Sequence, residues 1–143
     1  QNIALFEAEQ QTGNISHKMR MLYSLYILNL IAKRFKKALS PPDAVEIATK
    51  LNLPLNLCRQ LLDNMQRCDL VAKTVENDKS KEFCYIPAVD TSYLTFSYII
   101  NKLESMGDLK KHEAEVLHQI KVNYLQLEEA MSASSANKNI LDF

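Results

Sequence analysis

Glycine and tryptophan are almost missing from this chain, with two of the first and none of the second among 143 residues. Tight hairpins rely on glycine to reach left-handed backbone angles, so its scarcity argues against a fold built from many short hairpins and favours helices. A surplus of one charge is also missing: 17 Lys and Arg face 17 Asp and Glu, and the net charge is zero. Dedicated nucleic-acid binders usually carry a basic excess, so the balance disfavours that class. Cysteine is sparse and odd in number. Cys58, Cys68 and Cys84 are widely spaced, which offers no disulfide framework and fits a reducing compartment. Long apolar runs are absent too. The longest, "MLYSLYILNLIA" at residues 21–32, is interrupted by Ser24 and Asn29 and falls short of the ~20 residues that cross a bilayer. The opening "QNIALFEAEQ" lacks the basic start and apolar core of a secretory signal.

Catalytic signatures are missing as well. There is no GxSxG, no P-loop and no glycine-rich phosphate cradle. His17, His112 and His118 are scattered, and the last two stand six apart, on different helical faces. They have no matched Cys or carboxylate, so they read as structural or surface residues, with no catalytic residue and no metal site. The chain is therefore expected to be a non-enzyme without cofactor or small-molecule substrate.

What is present is helical periodicity and one change of rhythm. Apolar content of 47% is enough for a real core, and the length suits one domain. Residues 1–15 form a polar lead segment. Ser16 is a suitable N-cap for a helix running to about Leu39. Met19, Leu22, Tyr26, Leu30 and Phe35 mark one face, while Leu25, Ile27, Leu28 and Ile31 make its middle apolar nearly all round, so it is buried on more than one side. "LSPPD" resets the chain, with Ser40 or Pro41 before a second helix whose stripe is Ala44, Ile47, Ala48 and Leu51. That stripe stops at "NLP", because Leu53 precedes a proline and is pushed from helical angles. Pro54 then opens a third helix to about Arg67, with Leu55, Cys58, Leu61, Leu62 and Met65 inward. Two helices joined by so short a corner form a helix-turn-helix.

From Cys68 the period changes. Val71 and Val75, then Phe83, Tyr85 and Ile86, read as two strands around the polar turn "ENDKSK". Thr91 is expected to cap a further helix carrying Leu94, Tyr98, Ile99 and Leu103 inward and stopping at Gly107. The predicted fold is mainly α with a small β-hairpin, a winged helix-turn-helix over residues 16–107 with an extra C-terminal helix. That helix, residues 108–131, carries Leu117, Ile120, Tyr124, Leu127 and Met131 at alternating steps of three and four, a docking or dimer seam. Residues 132–143 read as a flexible tail.

Two surfaces could carry function. The outward face of the third helix has Asn56, Arg59, Gln60, Asp63, Asn64, Gln66 and Arg67, and Asn, Gln and Arg can read base edges. Asn56, Arg59, Gln60, Asn64 and Arg67 are thus the candidate contacts to nucleic acid or a protein partner. The face is nearly neutral, and in the wing Lys73, Lys79 and Lys81 are opposed by Glu76, Asp78 and Glu82. Affinity for a polyanion comes largely from neutralised phosphates, so the balance favours protein contacts over DNA. Lys33, Arg34, Lys36 and Lys37 close the first helix, matching its dipole or offering a patch for an anionic surface.

Two resemblances follow. "EIATKLNLPLNLCRQLLDNMQRCDLV" is similar to the helix-turn-helix of Rrf2-type transcription regulators. That family usually continues into a wing with a Gly-Gly-Tyr signature and a cysteine cluster for an iron–sulfur centre; here "KTVENDKSKEFCYIPA" has no glycine, and no clustered cysteines follow. A longer stretch, residues 1 to about 107 and above all "YIPAVDTSYLT", resembles the C-terminal cytoplasmic domain of the YihY/BrkB family of inner-membrane proteins, once labelled ribonuclease BN. That resemblance implies a cytoplasmic module tethered to a bacterial inner membrane through helices upstream of Gln1, acting through protein contacts as a homodimer. A winged-helix transcriptional regulator is the alternative.

Overall fold

The computed structural model describes residues 14–75, 82–107 and 114–143. Helix α1 (His17–Lys36) starts where Ser16 accepts a hydrogen bond from the Met19 amide at 3.1 Å. Its buried residues, Leu25, Ile27, Leu28, Ile31 and Ala32, form the spine of the core. Helix α2 (Ala44–Leu51) is capped by Asp43, whose carboxylate accepts from the Glu46 amide at 2.8 Å. The cap thus lies two or three residues beyond the expected Pro41 or Ser40, because Pro42 feeds the chain past the hairpin first: the Tyr85 amide donates to its carbonyl at 2.9 Å. Helix α3 (Leu55–Arg67) follows the corner at residues 52–54. Leu53, in that corner, is itself buried, as are Leu57, Cys58, Leu61, Leu62 and Met65. The corner packs α2 and α3 against each other and α3 against α1.

Three helices end without glycine. Ala38, Asn52 and Asp69 take left-handed φ of 56°, 54° and 61°. The amides of Leu39, Leu53 and Leu70 reach back five residues to the carbonyls of Arg34, Ala48 and Met65, the closing bond of a Schellman motif. Asn and Asp tolerate this conformation better than other L-residues, whereas Ala pays a steric cost.

Strands β1 (Val71–Thr74) and β2 (Cys84–Pro87) pair antiparallel, with Val71 opposite Pro87 and Thr74 opposite Cys84. An isolated bridge from Asp43 to Cys84 adds the segment before α2 to the hairpin's edge. The turn expected at "ENDKSK" lies outside the described residues. The fold is mainly helical with a two-stranded antiparallel hairpin, a winged helix-turn-helix.

After the hairpin, a 3₁₀ turn (Thr91–Tyr93) is capped by Asp90, whose carboxyl is held below its ordinary range by the hydrogen bond from the Ser92 amide. Helix α4 (Phe96–Glu104) starts only at Thr95, which accepts from the Tyr98 amide at 3.3 Å. The expected cap, Thr91, is instead buried. Helix α5 (Glu115–Ser132) contacts α4 and buries none of its residues. Its expected first residues, from 108, lie outside the described residues.

The chain does not fray after Ser132. Asn137 accepts from the Ser97 amide at 2.8 Å and donates to the Ser132 carbonyl at 3.0 Å. Asn139 donates to the Thr91 carbonyl at 2.9 Å and caps a final 3₁₀ turn (Ile140–Asp142). Ile140 is 2% exposed, its amide donates to Leu94, and its carbonyl accepts from Asn29 of α1 at 2.7 Å. The tail is a strap laid back onto the core. Of the two polar residues interrupting the apolar run of α1, Asn29 holds this strap. Buried Ser24 donates to the Arg20 carbonyl at 2.8 Å.

Candidate nucleic-acid interface

Helix α3 turns its apolar side to α1 and α2, so Asn56, Arg59, Gln60, Asp63 and Arg67 form one solvent-facing stripe. These positions recur at three, four and seven along the helix, which places them on a single face. Asn64 and Gln66, expected to point outward with them, are only half-exposed at its flanks.

The long side chains of the stripe are already engaged. Arg59 donates to Glu82, at the foot of the wing, through two parallel bonds: Nη2 to Oε1 at 2.9 Å and Nη1 to Oε2 at 3.2 Å. That hydrogen bond raises the Arg59 pKa, so its charge is permanent. Gln60 accepts from Arg20 of α1 at 3.3 Å, which brings a further cation alongside the stripe. Arg67 pairs with Asp63 one turn earlier at 2.9 Å. In the wing, the Lys73 ammonium lies 5.0 Å over the ring of exposed Phe83. Arg20 and the Glu82 contact were not legible as site features from local sequence. Glu82 lies 23 residues from Arg59, and only the fold brings them together.

The cluster at the end of α1 divides. Lys36 and Lys37 are exposed and Lys33 is half-buried. Arg34 points inward, its side chain 14% exposed, and meets Glu46 of α2 at 2.6 Å. Its Nε has no hydrogen-bond partner among the described residues. The four cations are therefore not one patch, because one of them ties α1 to the helix-turn-helix.

The proposed seam residues Leu117, Ile120, Tyr124 and Leu127 are all exposed, between 43% and 60%, and Met131 continues them. The C-terminal half of that face borders an open groove of about 460 Å³ against α4, lined by Tyr93, Tyr98, Ile100, Tyr124, Leu127 and Met131. A second apolar stripe, Met19, Leu22 and Tyr26, stands exposed on α1.

The remaining reactive groups stay apart. Burial pushes the Cys58 thiol up to about 11, Cys84 is buried, and Cys68 is half-exposed. His17 opens α1 and His118 lies on α5, while His112 lies outside the described residues. Among the described residues, no three His, Cys, Asp or Glu side chains converge as metal ligands.

No protein-family model matches the chain, and no curated protein matches it. Solved structures do. The global cysteine regulator CymR (YrzC) of B. subtilis is 20% identical, with a TM-score of 0.57 over 90% of this chain and 93% of that one. CymR of Staphylococcus aureus is 18% identical, with a TM-score of 0.57 over 86% and 93%. IscR of T. potens is 20% identical, with a TM-score of 0.53 over 81% and 77%. At such identities the likeness establishes the fold alone, a winged helix-turn-helix.

This overturns the expectation of a protein-contact module appended to an inner-membrane protein. Two of the matched structures carry regulator names, a global cysteine regulator of B. subtilis and a putative transcriptional regulator of Listeria innocua. No helix among the described residues is long and apolar enough to cross a membrane. The expectation rests on the even charge of the α3 face and the wing and on the resemblance to a membrane-protein domain, and a count of charges on a face does not show how each cation on it is paired.

Proposed function

We propose that the chain is a DNA-binding transcriptional regulator that works as a homodimer, placing α3 in the major groove and the wing beside the adjacent backbone. The observation that supports this most is the stripe on α3. It holds Asn56, Arg59, Gln60 and Arg67 facing solvent on a helix whose other side is fully packed. A helix-turn-helix presents base-reading residues in this way, chiefly from the N-terminal half of its second helix. Asn and Gln suit adenine, and Arg suits guanine, each through paired bonds. Arg20 and Lys73 flank the stripe and supply phosphate contacts.

Dimerisation completes the reading. Helix α5 exposes a continuous apolar stripe, and α1 exposes a second. A second copy, related by a two-fold axis, covers both at once, since each copy offers the same pair of faces. It also supplies the second α3 that a two-half-site operator needs.

Selection of bound sequences from a random duplex library, followed by gel shift, tests the reading. Wild type is expected to enrich a two-fold symmetric site, and Asn56→Ala or Arg67→Ala to weaken it. No shift of any duplex at low salt refutes it. Sedimentation tests the dimer: wild type is expected to sediment as a dimer, and Ile120→Glu as a folded monomer or weakened dimer.

A further inference from the structure

We propose that Glu82 is a specificity-determining positioning residue, which holds the Arg59 fork away from phosphates so that it is offered to a base edge. The inference rests on the DNA-binding reading above.

The pair is bidentate, at 2.9 and 3.2 Å, and joins α3 to the wing. Both side chains are well solvated, 47% and 37% exposed. Solvated pairs of this kind contribute little to stability, so its geometry matters more than its energy. Two consequences follow. First, the carboxylate cancels the charge of Arg59. In a nonspecific complex, affinity comes from cations reaching whichever phosphate is nearest, and Arg59 is withheld from that pool. Second, the fork is fixed in orientation. A guanidinium has five N–H donors. Glu82 engages two of its nitrogens, and the outward donors remain for a planar, paired contact with a base edge. An arginine held this way loses less side-chain freedom on binding than one swinging in solvent.

Neighbouring contacts agree with this division of labour. Arg67 is likewise neutralised, by Asp63 at 2.9 Å. Gln60, the adjacent reader, is steadied by Arg20 at 3.3 Å. The stripe therefore presents oriented donors and acceptors with little free charge, which reconciles its near-neutral balance with a role in reading sequence.

The test compares wild type, Glu82→Gln, Arg59→Ala and the double variant on two probes, a random-sequence duplex and a duplex selected by wild type. Glu82→Gln keeps the shape and removes the charge. Binding to the random duplex is expected to tighten several-fold, with the slope of log K against log salt steeper by about one, as one more phosphate is neutralised. The ratio of selected to random affinity is expected to fall about tenfold, the size of one good base contact. In the Arg59→Ala background, Glu82→Gln should no longer lower that ratio, a coupling that a merely structural role would not produce. A thermal midpoint for Glu82→Gln within about 3 °C of wild type confirms that folding is intact. Wild type that binds while Glu82→Gln leaves both slope and ratio unchanged overturns this proposal alone. Wild type that binds no duplex overturns the DNA-binding reading, and this proposal with it.

Discussion

Ile140→Ala should unfold this protein far more easily than its place three residues before Phe143 suggests. The side chain is 2% exposed, enclosed against Leu94 and α1. The substitution removes three carbons, worth about 2.4 kcal/mol at roughly 0.8 kcal/mol each. The cavity left behind adds to this, for a total of about 3–4 kcal/mol. For a domain of this size each kcal/mol moves the melting temperature about 3 °C, so a drop of about 10 °C is expected. Thermal unfolding followed by circular dichroism measures it. Protein concentration must be held fixed, because a dimer would make the midpoint concentration-dependent. Phe143→Ala is the control. Its ring is 56% exposed and touches only the Phe96 ring among aromatic partners described, at 5.4 Å, so a loss of about 1 kcal/mol or less is expected. A shift for Ile140→Ala no larger than that of Phe143→Ala would refute the strap as a core element.

Ala38→Gly should stabilise the chain by roughly 0.5–1 kcal/mol, since Ala38 sits at φ 56° and glycine enters that region without steric cost; urea denaturation checks it, and a loss of stability would contradict it. Stability should decline as pH rises from about 9 to about 11. The Cys58 thiol has an ordinary value of 9.0 when unfolded and about 11 when folded, so between them only the unfolded chain releases its proton and is favoured. Burial raises the Tyr85 pKa as well and acts in the same direction. Cys58→Ala should flatten part of that slope in denaturation curves taken across the range. Thiol labelling of the native protein near neutral pH should modify half-exposed Cys68 well before buried Cys58 or Cys84.

Much of this fold is legible in the sequence because it depends on short-range rules. The rhythm of Ala44, Ile47, Ala48 and Leu51, broken at Leu53 and Pro54, yields the helix-turn-helix, and alternation around Val71 and Tyr85 yields the wing. The Ser16 cap is equally local. Other features follow from contacts distant in sequence. Ile140 opens the short run Ile-Leu-Asp-Phe after a polar stretch, too brief for a period to reveal which residue is buried. It is held by Asn29, Asn137 and Asn139, residue types that in isolation signal loops. Exposure of the stripe on α5 is also invisible, because Leu117, Ile120, Tyr124 and Leu127 read the same whether covered or bare. Arg34 and Arg59 count alike in composition, yet one is spent inside the fold on Glu46 and the other is held at the surface by Glu82. A count of charges therefore does not describe the face of α3, where the pairing of each cation sets what is presented.

The most direct test of the account is methylation interference on a duplex selected by the wild-type protein. Two docked copies of α3 predict two blocks of guanine interference in successive major grooves, about 10 base pairs apart, with the blocks lost or faded in Arg59→Ala. Binding that is indifferent to major-groove methylation, or a single block unaffected by that substitution, would contradict it.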